Sequence, residues 1–232
     1  MKNSTDMMKL MHLLQFTDSA FPVGTFSLSN GLETASFEGI VTNAASLKSF
    51  ARSQAHQAAF SDGVAAIHAY RAFLDKDFDK CREIDKYLYC FKMNHEARQM
   101  ATRMGKKLIE LGVKLYKDSY LQEWLEHIGK DLEPGMYPVA QGIVFAIAGL
   151  SEKELFVSHQ YGVINMVLGA ALRCVKVSHY DTQKILSDLS QEVESMYEEA
   201  SQMNLEDMNA FYPQLDILAS LHEKGNMRMF MN

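Results

Sequence analysis

Proline and cysteine are scarce in this chain of 232 residues. Four prolines and thirteen glycines leave few breaks, so long uninterrupted helices are expected. The three cysteines, Cys81, Cys90 and Cys174, are an odd number without framework spacing, which argues against a disulfide scaffold and for a reducing cytoplasm. Clustered basic residues are missing as well. With 23 Lys and Arg against 29 Asp and Glu, a net charge of −6, the chain lacks the patch that a phosphate backbone requires, and nucleic acid is not expected as a partner. The longest apolar run, near residues 136–150, is interrupted by Pro138, Gln141 and two glycines. It falls short of the roughly 20 residues of a membrane helix and reads as a buried one. Asp6 and Lys9 break the N-terminal apolar stretch, so neither a signal-peptide core nor membrane association is expected.

Signatures of catalysis are missing too. The phosphate-binding patterns G-x-x-x-x-G-K-[ST] and G-x-G-x-x-G do not occur, and Gly24-Thr25-Phe26-Ser27 has the wrong spacing for a nucleophile elbow. Asp75, Asp77 and Asp79 imitate the start of a calcium loop. Lys80 stands where glycine is needed and Lys86 where the closing carboxylate belongs, so the run reads as a solvated acidic linker. Eight histidines form no H-x-x-x-H pair, and the cysteines form no C-x-x-C. His222-Glu223 is a weak metal pair whose histidine is better placed to meet helix-end carbonyls. No catalytic or metal-binding residues are expected, and a protein that acts on other proteins is favoured.

What is present is helical periodicity. The expected fold is all-α, a single helical-bundle-like domain of roughly ten helices over residues 1–232. Helices are read over Met8–Phe16, from near Ser27, after Asn43 and Asp62 as N-caps, and from Asn94 to Leu111, with a polar stretch over Asp75–Asp85 before Tyr87–Met93. Glu133–Pro138 is the clearest break. Beyond it, Val139–Ala148 carries Gly142, Ala146 and Gly149 as a small-residue face. A capping box at Ser151–Glu154 opens a helix to about Val175, on which Gly162, Gly169 and Ala170 are expected to permit tight packing. Asp181 is expected to cap a long helix with Leu186, Leu189, Val193, Met196 and Ala200 on one stripe, and a last helix covers about Tyr212–His222. Fifteen methionines suit an adaptable core or contact surface.

Two segments are unusual. In the first, residues 13–33, Phe21, Pro22, Val23, Gly24 and Phe26 crowd a short loop whose shape Pro22 and Gly24 constrain. On physics alone, core aromatics in a tight turn are favoured there over a binding loop. The second is the end of the chain, residues 225–232, where apolar residues at a free terminus should fray unless something holds them.

The strings Pro22-Val23-Gly24-Thr25-Phe26-Ser27 and Gly31-Leu32-Glu33 come first. Tyr137-Pro138-Val139, Gly142, Asn165, Arg173, Asp181 and Gln183 follow, and Pro213, Asp216, His222-Glu223 and Arg228-x-Phe230 close the series. In order and spacing this resembles the urease accessory protein F (UreF) family over nearly the whole chain. Two stretches depart from the family pattern: Lys176–His179 replaces a Pro-Leu-Gly-Gln run, and Gly225-Asn226 replaces an apolar-aromatic pair. The resemblance implies a helical, non-enzymatic accessory protein that forms a homodimer. It would bind UreD (UreH in some bacteria), recruit and regulate the GTPase UreG, and serve nickel insertion into apo-urease. No resident cofactor is implied, only weak and transient nickel binding. The partner-binding residues it implies are Phe21, Pro22, Gly24, Phe26 and Glu33 near the start and His222, Arg228 and Phe230 near the end. Loop and tail are expected on one side of the molecule, ordering with UreD or UreH. Arg228 is expected to fork two hydrogen bonds to an acceptor, with Phe230 as a buried anchor. The residues alone leave open a helical small-molecule-binding protein, or an enzyme with a dispersed site around His68, His95 and Glu96; turnover or a retained ligand would favour either.

Overall fold

A computed structural model describes residues 6–209, 212–223 and 228–230, apart from the side chain of Phe26, and contains helices and no strand among them. The helix with no polar face lies at the centre. Every residue of α8 (Tyr137–Ala148) from Pro138 to Ala146 is buried, as expected of a helix that is apolar all round. It is flanked by α4 (Val64–Leu74) and α6 (His95–Tyr116). Glycine makes both approaches possible. A Cβ on Gly142 would stand 2.5 Å from the Ala66 carbonyl of α4, and one on Gly105 of α6 would overlap the Gly135 carbonyl in the segment leading into α8. That segment is also pinned from below. Asp85, fully buried on α5 (Phe78–Phe91), accepts the N–H of Gly135 at 2.8 Å and of Met136 at 2.6 Å.

A second layer forms around α9 (Glu152–Cys174), which packs on α3 (Ala44–Ala58), on α2 (Leu32–Phe37) and on α1 (Asp6–Thr17). Helix α9 is long and apolar enough to cross a membrane, but 56% of its most apolar window is buried inside the fold. Its buried His159 pairs with Gln141 of α8 at 2.9 Å, and burial lowers the imidazole pKa, so Nδ1–H donates from a neutral ring. The remaining helices are α7 (Ser119–Gly129) against α6, α10 (His179–Ser190) and α11 (Val193–Ala200) against α9, and α12 (Pro213–His222) against α2 and α6.

The capping boxes at Asn43 and Ser151 form as their sequences require. Several expectations are corrected. Asp62 caps nothing: α3 runs through a π turn, Ala59–Gly63, into α4, and Asp62 pairs instead with Lys92 at 2.7 Å. The cap before α10 is Ser178, with Asp181 as its third-residue partner, and the long helix expected there breaks between α10 and α11. The acidic run is a helix start rather than a linker, because Asp77 accepts the Lys80 N–H and opens α5. Helix α7 has no counterpart in the sequence reading, although Asp118 caps it and Tyr120, Leu121, Trp124 and Ile128 form its buried stripe. Gly162 and Gly169 face open space, so neither permits close packing within this chain.

Two outcomes follow for stability. Gly105→Ala and Gly142→Ala push a side chain into backbone and should each cost about 2–3 kcal/mol in urea unfolding, whereas Gly162→Ala should gain up to about 1 kcal/mol from helix propensity. Burial pushes the Asp85 carboxyl up to about 7, against the two amide bonds that favour its ionised form. An acid raised in the folded state contributes stability that is full below the ordinary carboxylate range and is lost as pH rises through about 7. Unfolding free energies of the wild type and Asp85→Asn, measured from about pH 4 to about pH 8, should therefore converge by a pH-dependent amount on top of a constant offset from the lost acceptor.

Candidate functional site

The opening loop is built from local bonds. Asp18 Oδ1 accepts the Ala20 N–H at 2.7 Å, the Asp18 carbonyl accepts Phe21 N–H at 2.9 Å, and the Phe21 carbonyl accepts Val23 N–H at 2.8 Å. Gly24 then takes φ 94° and leads into a 3-10 turn, Thr25–Ser27. A Cβ there would meet nothing, so the backbone conformation rather than space calls for glycine. Phe21 and Val23 are buried while Pro22 and Gly24 are exposed. The Phe21 ring stands edge-on to Phe16, 5.4 Å between centroids, and Phe16 lies 5.2 Å from Phe145 of α8. Phe21 is thus a core residue in the free chain. The Phe26 side chain lies outside the described residues.

Gly31 brings the start of α2 against the last helix. Its φ is 79°, and a Cβ would lie 3.3 Å from the Ala219 amide nitrogen of α12. This approach sets Glu33, the second residue of α2, beside His222 at the end of α12. His222 is 3% exposed and joins two carboxylates: Nε2 lies 3.0 Å from Glu33 Oε2, and Nδ1 lies 2.9 Å from Glu96 Oε2. Arg228 Nη1 donates to the other oxygen of Glu96 at 2.6 Å. The other oxygen of Glu33 accepts the Met229 N–H at 2.7 Å, and the Phe230 N–H reaches Oε2 at 3.1 Å. Phe230 is buried, with the Arg173 guanidinium from the end of α9 4.1 Å above its ring. Glu223 completes the set by accepting the Glu96 N–H at 3.0 Å.

Charges explain the pattern. Each carboxylate sits in the first turn of a helix, where unpaired N–H groups and the helix dipole favour a negative group. Burial pushes the Glu33 carboxyl up, but the amides of Met229 and Phe230 and the His222 bond outweigh it and hold the group below the usual range. Arg228 makes one bond to Glu96, not the fork expected of it. The expected loose end, residues 225–232, is described only at Arg228–Phe230, and these are bound. Gly225 and Asn226 lie outside the described residues. Lys176–His179, the other departure, forms a short turn into the Ser178 cap.

Glu96 also links this cluster to the opening loop. With Gln99, Met100, Arg103 and Met104 of α6 it lines a shallow groove whose far wall is Val23, Gly24, Ser27 and Leu28. Beside the loop, α1 leaves Met7, Leu10, Met11 and Leu14 exposed, an i, i+3, i+4, i+7 stripe. The structure therefore gathers Glu33, His222, Arg228 and Phe230, brings Gly24 to their edge, and keeps Phe21 in the core behind them. Glu96, Arg173 and Glu223 were not among the predicted partner-binding residues. Glu96 reads as an ordinary helix start, and no spacing signals that it meets a side chain 126 positions away. The dispersed site does not assemble: His68 bonds the Met203 carbonyl, His95 bonds Gln99, and Glu96 is occupied by His222 and Arg228. No group of three metal-ligating side chains occurs among the described residues. A cleft of about 700 Å³ lies behind α12, with Met93, Met100, Met166 and Met208 and the Asp62–Lys92 pair on its walls.

The family model described as UreF matches residues 41–190. A protein of Brucella canis named urease accessory protein UreF 2 is 45% identical over 223 residues, covering 96% of this chain and 92% of its own length. Urease accessory protein UreF of Yersinia pseudotuberculosis is 40% identical over 230 residues, 99% of this chain and 100% of its own.

Removing Glu33 should unfasten the tail and α12 together. Glu33→Ala leaves two backbone amides and one imidazole nitrogen without their acceptor, an expected cost of about 1–3 kcal/mol. Carboxypeptidase should then release Phe230 and Met229 at least about tenfold faster than from the wild type, with helical circular dichroism retained.

Proposed function

The chain belongs to the UreF family of urease accessory proteins, and from that premise we propose that it is the scaffold on which UreD (or UreH) and the GTPase UreG meet during nickel insertion. As a member it is a non-catalytic protein of urease maturation and a partner within the maturation complex. The docking face for UreD or UreH is the surface where the opening loop, Glu33 and the Arg228–Phe230 segment adjoin. One observation carries this: Glu96 binds His222 and Arg228 and at the same time walls the groove beside Gly24. Loop and tail therefore share one face. The exposed stripe of α1 extends that face with apolar surface suited to burial by a partner. Pro22 and Gly24 offer backbone contacts, Phe26 an aromatic one, and Phe230 an anchor once drawn from its seat.

UreG is recruited by the assembled pair and its GTP hydrolysis is regulated there. Nickel passes weakly and transiently, since a deep well would trap a metal meant for apo-urease. The protein works as a homodimer in the cytoplasm.

Deletion of the gene from cells expressing the urease operon is expected to give nickel-poor, inactive urease. Wild-type protein should restore it, while Arg228→Ala or removal of residues 228–232 should restore less than about a tenth of the activity, consistent with loss of a hot-spot contact. Leu10→Glu with Leu14→Glu should abolish co-purification of UreD or UreH without loss of helicity. Normal urease activation in the deletion strain would overturn the proposal.

A further inference from the structure

The three described residues of the tail are fastened through a histidine that holds two carboxylates at once. Both contacts, 2.9 Å from Nδ1 and 3.0 Å from Nε2, are hydrogen-bonding distances, and each faces an acceptor-only oxygen when the acids are ionised. A neutral imidazole has one N–H; only the imidazolium donates from both nitrogens. With the ring charged, Glu33 and Glu96 are balanced by His222 and Arg228. With it neutral, the cluster carries an excess negative charge, and one nitrogen lone pair confronts a carboxylate in a nearly dry site.

We propose that His222 is a proton-operated latch for the C-terminal segment: charged, it closes the Glu33–His222–Glu96 bridge and seats Met229 and Phe230, and loss of its proton to solvent opens it. The groups facing the ring are few. Glu33 comes from α2 and Glu96 from α6, while Arg228 reaches Glu96 from the tail. Next to it on the chain, Glu223 is turned to the Glu96 N–H; His95 of α6 is turned to Gln99, and Arg173 of α9 covers Phe230. In deprotonation the N–H bond breaks and the proton leaves to water. The weaker seat is Glu33, whose remaining bonds are the two tail amides themselves. Glu33 gives a second, acid limit. Its pKa is lowered in the fold, so its contribution is present above the ordinary carboxylate range and is lost as pH falls through the folded value. Tail seating therefore has an acid limit at Glu33 as well as the one set by the ring's proton. The latch is a property of the free chain, and its test contains no partner, so it stands or falls separately from the docking proposal.

Nitrogen-15 chemical shifts of the His222 ring and exchange protection of the Met229 and Phe230 amides, each corrected for intrinsic exchange, are measured on the full chain between about pH 5 and about pH 9, the range in which histidine charge changes are sought. The expected result is an imidazolium where the amides are protected, and at least a tenfold loss of protection as the ring deprotonates, with amides of α8 unchanged. In His222→Gln, which cannot charge, protection should be low and flat above the carboxylate range. A neutral ring coexisting with protected tail amides overturns the latch, as does protection that stays constant through the ring's titration. Both are read on the wild type, whatever the variant's stability.

Discussion

Two carboxylates, partly buried Glu33 and buried Glu96, stand at the starts of different helices and share one imidazole, and the arrangement of the chain's two ends depends on that shared group. Burying charge is costly unless every lone pair is met. Here the account nearly closes: Glu33 takes two tail amides and Nε2 of His222, and Glu96 takes Nδ1 and Arg228. Each donor comes from a segment that has little else to hold it. Among the described residues of the tail only Phe230 is buried, and α12 buries only Leu215, Leu218 and His222. The polar cluster therefore does what apolar packing does elsewhere, and it fixes relative position rather than adding net stability.

The cluster in turn relies on backbone contacts in the core. Glu96 opens α6, whose position against α8 is set where Gly105 meets Gly135, and Asp85 secures the same segment from the other side. Gly142 seats α8 on α4 by the same means. Such contacts tolerate almost no change of side chain, because the atoms met are carbonyls and amides that cannot rotate away. The opening loop is tied to this frame through Phe21, Phe16 and Phe145, which explains how a loop of that composition holds its shape alone.

Much of the fold was legible because caps and breaks are local. Asn43, Ser151 and the Glu133–Pro138 break announce themselves within four residues, and the structure places helix ends there. Asp62 and Asp181 show the limit. An aspartate before an apolar run reads as a cap, yet Asp62 is drawn to Lys92 and Asp181 serves a serine three residues earlier. Gly162 and Gly169 show the same limit for packing, since a small residue reveals that contact is possible, not that it occurs. Of the candidate site, Gly31, Glu33, His222, Arg228 and Phe230 were visible as motif residues. Arg173 was visible as one too, but not its place over Phe230, and Glu96 was not a motif residue, because these contacts arise only when helices far apart in sequence meet.

Arg173 gives the face a double character. While Phe230 lies beneath its guanidinium, this corner of the molecule shows a capped cation, neutralised acids and the exposed thioether of Met229. Draw those three tail residues away, and the same patch turns more ionic: Glu33 and Glu96 keep His222 but lose their tail donors, and Arg173 loses the ring beneath it. An oily visitor and an ionic one would each find a matching surface there, but never at the same moment. The order in which two such visitors arrive would then be written into the chain itself.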